Sequence, residues 1–466
     1  MARLLASKLG SHDIATVALL LGLMVFFLFG GSSRGDTASL LIVRPVGAIL
    51  FVCGLAIALR DGTLQDNIIG CLLLAWMVLV ALQLVPLPPA MWSELPGREP
   101  VVAAYEAAGQ PLGWKPVSLV PMATINAFFA LTVPVAAFLM FLQSDPRVQR
   151  LALSLLLLLA GLSAMFGILQ AASGSSPSLY PYRLSNNTGP IGFFPNRNHQ
   201  AMVLAALIPM MLVLAETSSV ATARRDLVRW LARIAGFAFV VVIIMTGARV
   251  GTMLGLLAFI ASLYLTGQKP DLGRKKRKGP ALPKFIQFFV ERQKVFLPAA
   301  AIAILSVTFL FASGLAFERI ASKDTFGDLR FAILPTIWEM IKAGFPFGFG
   351  FGTFPEVYEM FEPTRMMQEL YINRAHNDWF EILIEGGVFA GILALAIMAI
   401  VVRGALSNLK RILQPRNETD LMLGASMIGM AVLLLGSLTD YPLRTPAAAT
   451  VFAIFLAVSH QTTQKR

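Results

Sequence analysis

Trp379-Phe-Glu-Ile-Leu-Ile-Glu-Gly-Gly-Val-Phe-Ala-Gly-Ile-Leu-Ala-Leu-Ala-Ile-Met-Ala-Ile-Val-Val402 decides the fold class of this chain. As an α-helix it is long enough to cross the hydrocarbon core of a bilayer, for which about 20 apolar residues suffice. Working outward, the same criterion picks out 14–30, 40–59, 67–85, 121–142, 151–172, 200–216, 233–248, 250–266, 295–313, 421–438 and 446–459. The stretch 233–266 is read as two spans, because a single helix rising 1.5 Å per residue would be about 50 Å long against roughly 30 Å of hydrocarbon. Thr246-Gly-Ala-Arg249 supplies the break. Composition agrees: the 466 residues are 56% hydrophobic and only 14% charged, far from a soluble domain's balance. The expectation is an all-α integral membrane protein of about 12 transmembrane helices. Residues 1–466 would form a single polytopic membrane domain, with a large extracytoplasmic loop, 314–378, before the tenth span.

Charge sets the expected orientation. With both termini cytoplasmic, the inside segments carry most of the 38 Lys and Arg, as the positive-inside rule requires. The densest basic run, Arg274-Lys-Lys-Arg-Lys278, falls in an inside loop. Topology and contact with anionic lipid account for it, so no nucleic-acid partner is expected. Cys53 and Cys71, the two cysteines, both lie within spans and match neither a disulfide framework nor a metal site. Arg3 and Lys8 precede the first apolar run as in a secretory signal, but with further spans following it is read as a retained helix.

The candidate chemistry collects at the outward ends of the spans. His376 sits in Arg374-Ala-His-Asn-Asp-Trp-Phe-Glu381, at the mouth of the tenth span, where an imidazole can take a proton near neutral pH. Asp378 and Glu381 have capping-box spacing, which places the helix start near Asp378; Glu385, one turn on, has no such explanation. Arg197, Arg249, Arg330, Arg374 and Arg444 all fall at outward span ends. Guanidinium groups hold phosphate through permanent charge and bidentate hydrogen bonds, although interfacial arginines also snorkel to headgroups with no further role. His199 reads as a helix-start residue. Gly348, Gly350 and Gly352 read as a structural turn, since no phosphate-loop Lys-Ser/Thr follows them. Apolar residues at Phe331, Leu334, Ile337, Trp338 and Ile341 form a helical stripe within the long loop, suited to lie on the membrane or cap a cavity. No cofactor and no metal is expected, because no His/Asp/Glu group has ligand spacing.

Several of these residues together carry a family resemblance. Phe194-Pro-Asn-Arg-Asn-His-Gln-Ala201, Thr246-Gly-Ala-Arg-Val-Gly251, Arg330 with Trp338 and Pro346-Phe-Gly-Phe-Gly350, and His376-Asn377 with Gly386, Gly387 and Gly391 resemble, in order, the O-antigen ligase and polymerase superfamily. The similarity centres on 190–400, and Asp440-Tyr-Pro-Leu-Arg-Thr-Pro446 is similar to members associated with polysaccharide export. The resemblance implies a C-type glycosyltransferase of the bacterial inner (cytoplasmic) membrane, with its active site facing the periplasm. Such an enzyme moves glycan from an undecaprenyl-diphosphate-linked oligosaccharide donor to an acceptor hydroxyl, with inversion and without metal. It further implies His376 as catalytic base and Arg197 and Arg249 as the diphosphate ligands, with Arg330, Arg374 and Arg444 as additional substrate-binding candidates. The acceptor would be a second lipid-linked glycan in a polymerase, the favoured branch, lipid A-core in a ligase, or a protein side chain. Membrane lipids and polysaccharide-export proteins complete the expected partners. A transporter or flippase of lipid-linked oligosaccharide is the contrasting class. It is disfavoured because the predicted spans carry no ionisable group near the bilayer midplane.

Overall fold

The computed structural model describes residues 11–65, 67–173, 176–186, 189–218, 222–268, 292, 332–367 and 371–464. The expected ninth span, 295–313, and Arg330 lie outside them. In chain order the helices are α1 (Ser11–Phe29), α2 (Leu40–Arg60), α3 (Ile68–Leu82), α4 (Pro89–Trp92), α5 (Glu99–Ala107), α6 (Pro121–Leu142), α7 (Pro146–Ala172) and α8 (Arg197–Glu216). They continue with α9 (Thr222–Thr246), α10 (Arg249–Gly267), α11 (Leu334–Gly344), α12 (Phe354–Phe361), α13 (Asp378–Ser407), α14 (Leu409–Leu413), α15 (Glu418–Gly436) and α16 (Pro446–Gln464). No strand occurs among the described residues, only an isolated bridge between Leu87 and Lys115. Eight helices are long and apolar enough to cross a membrane: α2, α6, α7, α8, α9, α10, α13 and α15. Asp13–Phe29 and Ile68–Leu82 are apolar but shorter. This is a multi-pass membrane protein, and eight helices among the described residues meet these criteria.

α8 is the axis of the bundle, with 83% of its apolar window buried. Small residues make that possible, since they let neighbouring backbones approach closely. A Cβ on Gly251 of α10 would sit 2.6 Å from Ala201 of α8, one on Gly255 would be 3.7 Å from Ala205, and one on Gly429 of α15 would meet the Ala206 carbonyl at 2.7 Å. Matching early and later positions show that α8 and α10 run parallel. Arg197 and Arg249 therefore begin adjacent helices at the same end of the bundle.

That end is stitched together by its connecting segments. Ala447 N donates to Gly30 O at 3.0 Å, Leu119 N to Phe349 O at 2.9 Å, and Arg374 Nη2 to Ser33 O at 2.5 Å. The 86–120 segment is ordered around α4 and α5, and its buried Arg98 reaches across to Gly348 O at 3.2 Å. Burial lowers the Arg98 guanidinium to about 10, while Phe349 lies 5.4 Å beneath it. Ile337 and Met340 of α11 and Phe354 and Val357 of α12 form a second core above α13, while Trp338 stays 56% exposed.

α13 is bent at Gly387, whose φ of 58° departs from helical values. The chain 345–352 fills the bend. Val388 N donates to Pro346 O at 2.9 Å, Phe349 N to Ile384 O at 3.0 Å, and Gly350 N to Glu385 O at 2.9 Å. Gly348, Gly350 and Gly352 all have positive φ, and a Cβ on any of them would lie within 2.6 Å of neighbouring atoms. The amides from Gly348 to Phe351 are spent on helix carbonyls and the Gln83 side chain. It is a structural wedge, not a phosphate cradle.

Candidate functional site

His376 is the one non-glycine residue with positive φ, 52°, among the described residues. An L-residue in this region costs about 1–2 kcal/mol, so the neighbourhood must hold it there. Asn377 does so on one side, capping α13 by accepting from Trp379 N at 2.9 Å and Phe380 N at 3.1 Å. Glu381 does so on the other, accepting from Ala375 N at 3.0 Å. The helix starts at Asp378, as its spacing suggested, but the cap is Asn377 and Glu381 reaches back past it.

The histidine ring faces a residue to which the sequence assigned no role. His376 Nδ1 lies 3.7 Å from Asp440 Oδ1, and His199 Nε2 lies 3.6 Å from the same oxygen. Tyr441 packs on both rings, with centroids 5.2 Å and 4.8 Å away. Asn198 Nδ2 donates to Asp440 Oδ2 at 2.5 Å, and Tyr441 N donates to Asp440 Oδ1 at 3.0 Å. Burial opposes ionisation of Asp440, but the flanking His199 and His376 outweigh it and hold the carboxyl well below its usual range. His199 is 1% exposed and so has no face for a substrate, whereas the His376 side chain remains 23% exposed.

A second cluster lies just beyond. Asp378, Glu381 and Glu385 share one face of α13 at helical spacing and are buried. Arg374 Nη1 donates to Glu381 at 2.7 Å. Arg444 Nη1 donates to Glu385 at 2.7 Å, and its Nε lies 3.5 Å from Asp378 and 3.6 Å from Glu381. Ser437 Oγ also donates to Asp378, at 2.7 Å. Glu385, unexplained from sequence, is thus the counter-ion of Arg444.

The sequence candidates separate into groups. His376 and His199 come together on Asp440, with Arg197 two residues from His199 at the start of α8. Arg197 is half-buried, and its amide donates to Asn186 Oδ1 at 3.1 Å. Arg249 is exposed at the start of α10, following Gly247, whose φ of 69° makes the expected break. Arg374 and Arg444 are engaged with carboxylates and line a cavity of about 690 Å³ between α2, α6, α13 and α16. His376, Arg197 and Arg249 are not on that cavity's wall. Sequence reasoning missed Asp440 as a partner of His376, although a lone aspartate between two apolar spans was its available signal.

Apolar bundle and polar end together define a multi-pass membrane protein with a histidine–carboxylate centre at one face. Residues 234–395 match the family described as O-antigen ligase, a similarity that covers less than half of the chain. The matched segment holds Arg249 and His376 and stops short of Asp440. It supports a membrane glycan-transfer enzyme. No curated protein gives a significant match to the chain.

Proposed function

We propose that this protein transfers a glycan from undecaprenyl diphosphate to an acceptor hydroxyl, outside the cytoplasmic membrane and with inversion at the anomeric carbon. The observation that carries the reading is His376, held in a strained backbone conformation with its buried Nδ1 towards Asp440. Strained residues concentrate at functional sites. With Nδ1 so placed, Nε2 is the nitrogen left for substrate. It takes the proton of the acceptor hydroxyl as that oxygen attacks the anomeric carbon. The bond from that carbon to the diphosphate oxygen breaks, and undecaprenyl diphosphate leaves with the electron pair. Asp440 stabilises the imidazolium that forms, which is an ion pair at the observed separation. Arg197 and Arg249, at adjacent helix starts, are assigned to the charge growing on the leaving diphosphate.

We favour the polymerase branch, in which the acceptor is a second lipid-linked glycan, because of the Asp440–Pro446 similarity to export-associated members. Lipid extracts of a deletion strain, resolved by size, test the branch: single repeat units on the carrier are expected, and full-length polymer on the carrier would instead make the protein a ligase. His376→Ala tests the chemistry, since a positioned base contributes about 10²–10⁴-fold. Near-normal surface polysaccharide from that variant at native expression would remove His376 from the mechanism.

A further inference from the structure

The cavity beside the histidine centre is amphipathic along its length. Its polar lining holds four arginines, Arg34, Arg44, Arg374 and Arg444, together with the carboxylates Asp36, Glu356, Glu359 and Asp378. Its depths are lined only by apolar groups such as Pro134, Val401, Ala453 and Leu456. On α16 the wall runs from Pro446 to Leu456, about 15 Å at 1.5 Å per residue, or half the hydrocarbon thickness. Three of the arginines are neutralised, Arg34 by Asp36, Arg374 by Glu381 and Arg444 by Glu385. Arg44 differs. It lies within the span α2, and its hydrogen bond goes to a neutral group, Asn126 Oδ1 of α6, at 2.8 Å. No carboxylate among the described residues pairs with it. An ionisable residue inside a span is costly and as a rule marks a substrate path or ligand site.

We infer that this cavity is a second lipid-phosphate site, in which Arg44 holds the phosphate of a lipid-linked acceptor and the apolar shaft takes the first part of its hydrocarbon chain. One arginine without a carboxylate partner, Arg44, on a cavity whose remaining wall is largely apolar fits one phosphate on one chain. The volume of 690 Å³ falls in the range of specific ligand sites. Asp378, on the cavity wall, is two residues from His376, so the two backbones are within about 8 Å. A glycan carried here comes to the histidine from a cavity whose wall includes neither Arg197 nor Arg249. The assignment rests on the transfer reading above, yet binding can be measured independently of transfer.

The test uses the full-length protein in nanodiscs with a photoreactive undecaprenyl diphosphate, and maps the adducts by mass spectrometry. Adducts are expected in α6 and α16 around the cavity, besides those near α10. Arg44→Gln should weaken the α6 and α16 labelling about tenfold or more, the usual loss for a hydrogen bond to a charged group. Ala453→Trp, which fills the shaft, should abolish it, with Ala449→Phe as the substitute if that variant loses the wild-type melting profile. Unlabelled undecaprenyl diphosphate should compete, and phosphatidylglycerol at the same mole fraction should not. Adducts confined to α8 and α10, labelling indifferent to both Arg44→Gln and the shaft variant, or equal displacement by phosphatidylglycerol would each overturn the assignment. His376→Ala should label normally while losing transfer; if it instead keeps transfer, the catalytic reading fails and the lipid site stands on its own labelling.

Discussion

Replacing Arg444 by alanine removes the cation on which the buried face of α13 depends. Arg444 lies 2.7 Å from Glu385, 3.5 Å from Asp378 and 3.6 Å from Glu381. At an effective dielectric of about 20, a charge pair at the shortest of these separations is worth roughly 6 kcal/mol, and at the longer ones roughly 5 each. Desolvation of the charges takes back most of that sum. Removing one partner alone leaves Glu385 buried and uncompensated, at a cost of about 3–5 kcal/mol. Arg444→Ala should therefore lower the melting temperature of the purified protein by several degrees and reduce its level in the membrane. Adding Glu385→Gln should restore most of the loss, because the stranded charge goes with it. The double variant also separates two roles. If Arg444 only balances charge, the rescued protein transfers glycan; if it also binds substrate phosphate, the protein is stable and inactive. A single Arg444→Ala variant that melts like the wild type would refute the electrostatic account.

The remaining predictions concern the centre, the bend and the diphosphate site. Asp440→Asn should lower the transfer rate about 10²–10³-fold, since a charge at this range contributes roughly 4 kcal/mol to the imidazolium; a near-normal rate in membrane vesicles would remove Asp440 from the mechanism. Because the folded carboxyl titrates below its unfolded value of about 3.9, its stabilisation is complete above that pH and is lost as pH falls through the lowered value. The melting difference between wild type and Asp440→Asn should accordingly narrow as pH falls below about 4. Gly387→Ala should cut folded yield, since its Cβ would stand 2.0 Å from Pro346 O at a positive φ, whereas Gly161→Ala, which meets nothing within 4 Å, should be neutral or slightly stabilising by thermal melt. Arg249→Lys keeps the charge but loses the planar fork, so a diphosphate role predicts clearly impaired transfer, and full activity would point to simple charge balance.

The apolar helices and the break at Thr246–Arg249 were legible in the sequence because hydropathy and backbone propensity are local sums over neighbouring residues. The position of His376 at the start of α13 was legible for the same reason, from the polar residues that cap it. Family motifs added a plausible base and its arginines, again as short runs. What the sequence could not assign was who pairs with whom. Asp440 lies 242 residues from Asn198, and Arg444 lies 59 residues from Glu385, so only the packing of α8, α13 and α15 brings them together. The same holds for the arginines. Arg374 and Arg444 looked like free cations at span ends, and Arg44 was read as part of a span. Burial and partner distance decide which charge is already neutralised and which still faces a cavity, and both are properties of the tertiary structure alone.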